Sequence, residues 1–308
     1  MSCFTDARLG RMIQVLAAKE TTYGVLASFA AASPLLSMAS TCEMTPTINT
    51  TEVNYKTGTK LPQLDETVKT TTGGTVVLSG AFNDKYEWLL EAYTGDAATP
   101  FVMSETLNPS YEIHRQHTDT TAKDDIALGC VCESLNFTAA QNGLLMFEAT
   151  FNAQSITWEA ATEGTWVAPT IKPFQFAGSS LTDSSFTVTA LTSYACNLAG
   201  TMLDDDVSFG SAVTKVCNGK LAYTGEVTYE SLYLQTDEMV MADQTSGTTS
   251  IAATFLNGEA GAGTSTIVLT TTGKFAREAA DPDNGLFKQS LTQTLAGAAP
   301  LSVTYATA

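Results

Sequence analysis

The stretch Leu128–Trp158 constrains the fold more than any other. It carries two strand patterns, Gly129–Thr138 and Leu144–Trp158, separated by Ala139-Ala140-Gln141-Asn142-Gly143. In the second pattern Leu145, Phe147, Ala149, Phe151 and Ala153 fall on one face, and Met146, Glu148, Thr150, Asn152 and Gln154 on the other. A period of two with one apolar face is what a half-buried strand requires. In the first pattern Val131, Leu135 and Phe137 share a face, with Glu133 as the exception.

The two apolar faces set the register. Residues directly opposite in an antiparallel pair point to the same side, so Phe137 must face Phe147 or Ala149. A two-residue Asn142-Gly143 turn sets Phe137 against Glu148 instead. A three-residue loop, Gln141-Asn142-Gly143, pairs Ala140 with Leu144 and Phe137 with Phe147, and places Gly143 at the left-handed position. That loop is the expected one.

Length and composition bound the rest. The 308 residues exceed the usual single domain, which points to two. Charged residues are 15% of the chain, against an average of about 25%, and threonine, serine, alanine and glycine fill the gap. A net charge of −17 argues against a grip on nucleic acid, which needs clustered Lys and Arg. Val25–Ser40 is too short, too rich in small residues and too broken by Pro34 to span a membrane. It also lies too far from the N-terminus, behind Lys19-Glu20, to read as a signal peptide. Six cysteines do not make a disulfide framework. Cys130 and Cys132 sit two apart on the strand face away from the apolar residues, a poor geometry for a bridge. His114 and His117 lack a clear partner, so plain thiols in a reducing compartment are expected, with no metal and no cofactor.

Along the chain, Arg8–Lys19 suits a helix or an edge strand equally. Lys19-Glu20-Thr21-Thr22-Tyr23-Gly24 ends it with a turn signal, and the run to Ser40 reads as an extended arm. Cys42–Leu64 alternates weakly, as strands joined at Lys56-Thr57-Gly58-Thr59. Gly74–Phe82 is a strand with Val76 and Leu78 on one face. A helix follows: Asn83 is the expected N-cap, Asp84 favours the positive dipole end, and Gly95 closes it. Tyr86, Leu89, Leu90 and Tyr93 form a single apolar stripe on it, which suits a helix covering one end or face of a sandwich. Thr106–Arg115 is a further strand, and His117–Asp125 a loop.

Several short motifs then come in a telling order: Glu20-Thr-Thr-Tyr-Gly24, Trp88-Leu89-Leu90, Leu107-Asn108-Pro109-Ser110-Tyr111, Gly129-Cys-Val-Cys-Glu-Ser-Leu135 and Asn142-Gly143-Leu144. In that order and spacing the chain resembles the tail tube (major tail) proteins of long-tailed bacteriophages, over most of its length. The resemblance implies a β-sandwich that stacks in rings into a hollow conduit for DNA ejection, without catalysis. It also implies as partners further copies of the chain, a tape measure protein and the tail terminator and baseplate proteins. Double-stranded DNA passes through without specific binding, no membrane is involved, and the place of action is the virion tail, assembled in the host cytoplasm.

The second half echoes the first. Cys196-Asn-Leu-Ala-Gly-Thr follows Cys42-Glu-Met-Thr-Pro-Thr, and Gly219–Val227 follows Gly74–Phe82. Ile251–Gly258 takes the place of the Trp88 helix and Gly95, and Asn284-Gly285-Leu286-Phe287 follows Asn142-Gly143-Leu144-Leu145. The expected fold is therefore mainly β, with tandem tail-tube-like β-sandwich domains, each with a short flanking helix. Residues 1–40 are a strand and arm, 41–165 the first sandwich and 166–308 the second, with the boundary near Ala161–Pro173. Two sandwiches per chain need three copies per ring; a single sandwich needs six. The echoes favour three.

Candidate functional residues follow from the same reading. A bore that passes DNA should be net acidic, because inward lysines hold phosphates. Glu133, Glu148 and the run Asp204, Asp205, Asp206 are the candidates. Tyr23, Pro34, Leu35 and Leu36 are candidates for an arm that contacts a neighbouring subunit. Asp281-Pro-Asp283-Asn284-Gly285 resembles the start of a calcium loop but lacks the later bidentate acid, and reads as a turn. Two other classes share the composition. A surface adhesin should carry an export signal. A glycan hydrolase needs paired carboxylates in an aromatic cleft, and Trp88, Trp158 and Trp166 are scattered.

Overall fold

The computed structural model describes residues 13–25, 41–53, 66–103, 108–117, 123–160, 172–182, 187–188, 191–204, 218–232, 248–258, 264–277, 281–283 and 286–306. In the first half these form β1 (Ile13–Lys19), β2 (Thr41–Val53), β3 (Glu66–Ala81), helix α1 (Glu87–Thr94), β4 (Phe101–Val102), β5 (Tyr111–His117), β6 (Lys123–Ala140), β7 (Met146–Ala153) and β8 (Ser155–Ala160). The second half has β9 (Gln175–Thr182), β10 (Thr187–Val188), β11 (Leu191–Asp204), β12 (Asn218–Leu232), β13 (Thr249–Leu256), β14 (Thr266–Arg277), β15 (Asp281–Asp283), β16 (Leu286–Leu295) and β17 (Leu301–Ala306). The fold is mainly β, as its threonine-rich alternation implies.

β6 organises the first half. Its part up to Cys130 lies between β5 and β8, and β5 pairs with β1. From Val131 onward it pairs instead with β7, which leads to β3 and β2. One strand thus serves two sheets, and it turns between them beside Gly129, whose φ of +63 suits glycine. β14 does the same in the second half. Up to Gly273 it lies between β13 and β17, with β9 beyond β13, and from Gly273 it pairs with β16, then β12, then β11. All six ladders of the first half therefore recur, antiparallel and in the same chain order.

A further ladder joins the halves. β6 pairs with β11 from Ala140↔Ser193 to Ser134↔Ala199. The two four-stranded sheets become one of eight, in the order β2-β3-β7-β6-β11-β12-β16-β14, and one apolar cluster runs through both halves. With Asn142 set on Asn284, a step of 142 residues, the pair Leu135↔Ala149 falls on Arg277↔Leu291. The turn echo is in step with the ladders, but two others are not. Val77 faces Thr150 as Thr228 faces Thr292, which matches Cys42 to Tyr194 rather than Cys196, and Gly74 to Gly225 rather than Gly219.

The central hairpin has the expected Phe137↔Phe147 register. Its details differ from expectation in four ways. The left-handed residue of the turn is Asn142, φ +62, and Gly143 closes the turn by donating to Ala140 O at 2.9 Å. Leu144 does not pair with Ala140 as expected: it bridges Gln175, and Ala140 pairs with Ser193. The stretch expected as one strand to Trp158 breaks between β7 and β8 at Gln154, whose N–H donates to Leu128 O at 2.9 Å. Finally, a bulge between Cys132 and Ser134 shifts the phase of β6. Cys130 and Cys132 therefore join the core with Leu135 and Phe137, rather than lying on the opposite face.

The ambiguous N-terminal segment is a strand, β1, and it pairs only with β5 among the described residues. α1 has its expected stripe, with Tyr86, Leu89, Leu90 and Tyr93 each at most 1% exposed. Gly95, φ +79, caps it by donating to Glu91 O at 2.8 Å. Asn83 is not its N-cap. The Asn83 side chain instead accepts from Lys85 N at 2.9 Å, closing a separate turn before the helix begins at Glu87. Ile251–Gly258, expected in the helix's place, contains strand β13, and no helix lies among the described residues of the second half.

Candidate functional site: the polar face of the eight-stranded sheet

Cross-strand partners share a face, so the ladders can be read across the sheet in rows. One row runs Cys42, Leu78, Ala149, Leu135, Leu198, Gly225. It faces the core, and a Cβ on Gly225 meets Leu295 Cδ1 at 2.4 Å. The next row runs Thr41, Ser79, Glu148, Asn136, Asn197, Glu226, Thr294, Lys274 and crosses all eight strands. Not one of these eight residues is buried. The sheet is therefore apolar on one side and hydroxyl- and amide-rich on the other.

The side chains of this face are tied to the sheet itself. Thr41 and Ser79 share a hydroxyl bond of 2.6 Å, Asn136 Oδ1 accepts from Leu198 N at 3.2 Å, and Ser193 Oγ donates to Glu230 Oε2 at 3.2 Å. Its charge is uneven. Glu43, Glu148, Glu226 and Glu230 lie on it with side chains reaching solvent, against Lys274 alone among its described side chains. Among the described residues none of Glu43, Glu148 and Glu226 has a cation within ion-pair distance.

Of the residues expected from sequence, Glu148 stands in the central polar row. Glu133 is the extra residue of the β6 bulge and is half-buried. Asp204 ends β11 opposite Asn218. Asp205, Asp206, Pro34, Leu35 and Leu36 lie outside the described residues. Tyr23 rests on its own chain, where a Cβ on Gly129 approaches its ring within 3.1 Å. The sequence reading missed Glu43, Glu226 and Glu230. The alternation of Glu226, Thr228 and Glu230 with Val227 and Tyr229 carries that signal.

The scattered short motifs also meet. Glu20, 7% exposed, accepts from Gly24 N at 2.9 Å, Ser110 Oγ at 2.6 Å and Gly129 N at 2.8 Å. Asn108 donates to Ala92 O and Tyr93 O at the end of α1. A buried carboxylate with three donors is a satisfied one, and here it pins the turn after β1 to the bend of β6. Buried thiols complete the core. Burial pushes Cys196 and Cys42 up to about 12, and Cys130 well above the usual thiol range. Among the described residues no helix is long and apolar enough to cross a membrane.

No curated protein matches the chain. The family of phage tail tube proteins matches residues 10–304, nearly its whole length. With the order of its motifs and a sheet that is apolar on one side and polar on the other, the chain belongs to the phage tail tube protein family.

Proposed function

We propose that three copies of the chain, each supplying two sandwich units, close into a ring, and that the rings stack into the conduit through which DNA leaves the virion. The proposed units are residues 41–165 and 166–308, behind an N-terminal arm of residues 1–40. The observation that carries this reading is the eight-stranded sheet with one core-packed face and one mainly polar face. A barrel widens with strand number, and several such sheets side by side make a wall with a hydroxyl-lined bore and a core-packed outer side. The six recurrent ladders support two units per chain, and hence threefold rings that look sixfold. The role is structural rather than catalytic.

The excess of carboxylates on the polar face supports an acidic bore. Fixed negative charge repels phosphate, and neutral hydroxyls hold it weakly, so a duplex slides instead of sticking. The tape measure, terminator and baseplate proteins are the other proposed partners, and the host cytoplasm the proposed place of assembly. Negative-stain microscopy of the purified protein tests the reading: open-bored tubes with threefold ring averages are expected. A protein that stays monomeric at high concentration overturns it, and identical density in six sectors overturns the count of three.

A further inference from the structure

Six ladders occur twice in the chain, but the β6–β11 ladder that joins its halves occurs once. Its counterpart requires the part of β14 beyond Gly273, matched to the second part of β6, and β2, matched to β11. Among the described residues β2 pairs only with β3, and Lys274–Arg277 only with β16. Among these residues both edges lack a further strand partner, at opposite ends of the eight-stranded sheet. We infer that they are the two sides of one lateral joint, in which β14 of one copy pairs antiparallel with β2 of the next, in the register of β6 with β11.

The register follows residue by residue. Leu135 faces Leu198 at the internal joint. Leu135 matches Arg277, and Leu198 matches Pro46 through the chain of ladders that matches Tyr194 to Cys42. Arg277 thus stands opposite the next copy's Pro46. At the internal joint Leu198 turns its N–H towards β6, where Asn136 accepts it, so the alternation turns the matched Cys42, Met44 and Pro46 outward as well. Arg115 Nη1 reaches the Cys42 carbonyl at 3.2 Å, as an outward carbonyl permits. Pro46 withholds one N–H from the ladder. That suits an edge which must not aggregate before it meets its partner, and its carbonyl still accepts.

A second observation points to the same joint. Strand β17 holds the place of β8, since β8 pairs with the first part of β6 and β17 with the first part of β14. At the internal joint, β17 pairs with β4 of the first half, and Tyr305 is 5% exposed, donating to Asp84 O at 3.2 Å and meeting Phe174 edge-on. On β8 of the first half Trp158 is 64% exposed. A large aromatic left open on β8, where the corresponding β17 is covered, marks a surface completed by another copy.

This inference rests on the tube reading but is tested separately. The pair Arg277→Cys with Pro46→Cys sets thiols across a hydrogen-bonded pair, where Cα atoms are about 5.5 Å apart, within disulfide range. Oxidation of assembled protein is expected to convert monomer into covalent multimers. Arg277→Cys with Met44→Cys, two residues out of register, and each single variant, are expected to stay monomeric on denaturing gels. Trp158 emission is expected to shift to the blue on assembly, and the shift to vanish in Trp158→Phe. Tubes that form without the 46–277 link, or that link equally through Met44→Cys, overturn this joint and leave the tube reading standing. A chain that never assembles overturns both.

Discussion

The two halves share a ladder plan but not a core. In the first, Phe151 is fully buried and stacks on Trp88, ring centroids 5.9 Å apart and 16° from parallel, beside a cluster of Phe82, Tyr86, Phe137 and Phe147. The matched residue in the second half is Gln293, equally buried. Its Oε1 accepts from Thr271 Oγ1 at 2.6 Å and Tyr229 O–H at 3.1 Å, and its Nε2 donates to Thr249 O at 2.9 Å and Thr271 O at 3.3 Å. A sandwich position accepts either an aromatic ring or an amide, provided the amide finds all its partners. Pairing order sets the fold, and the filling of the core is a separate choice.

The largest expected effect tests the aromatic side. Phe151→Ala should cost about 3–5 kcal/mol, since it removes a ring and leaves a cavity under Trp88. Urea denaturation measures this, and a loss near zero would break the comparison. Gln293→Ala should cost about 1–3 kcal/mol, through the donors and acceptors it strands. The triple change Gln293→Leu, Tyr229→Phe and Thr271→Val should recover part of that loss, because it removes both hydroxyl partners of the amide, while the Thr249 and Thr271 carbonyls remain. If the triple variant is worse than Gln293→Ala, the network contributes more than satisfaction of its own members.

Alkaline pH probes the thiols of both halves. Cys42 and Cys196 sit near 12 when folded, against 9.0 when exposed. Between those values the unfolded chain has lost protons that the folded chain keeps, so stability is intact below about pH 9 and falls as pH rises towards 12. The slope for the fully buried Cys196 is about 1.4 kcal/mol per pH unit, and Cys196→Ala should flatten the profile by that share. The smallest effect belongs to the helix that only the described part of the first half possesses. Gly95→Ala forces a side chain into the left-handed region and should cost about 1 kcal/mol.

Much of this was legible in the sequence because it rests on alternation. The Phe137–Phe147 register, the stripe of α1 and the Gly95 cap all depend on residues close in sequence. The β6 bulge was not, since one extra residue reverses every later side chain and Glu133 looked only like an exception in a face. Nor was the binding of Glu20 by Ser110 and Gly129, which brings together residues 90 and 109 positions away. The place of Glu148 on a polar face could be read because its strand alternates cleanly. Glu43 was missed because its stretch alternates weakly and its place shows only once β2 is laid beside β3, whereas the alternation around Glu226 was readable and was passed over.

The ladder between β6 and β11 has a consequence of dilution. Its two strands are tethered in one chain, so they meet at an effective concentration on the order of millimolar, whatever the protein's own concentration. A contact between separate molecules weakens as they are diluted, whereas this one opens only if the chain unfolds. In the proposed ring, every other contact between neighbouring units would thus be fixed at synthesis, and only the alternate contacts would depend on how many molecules are present.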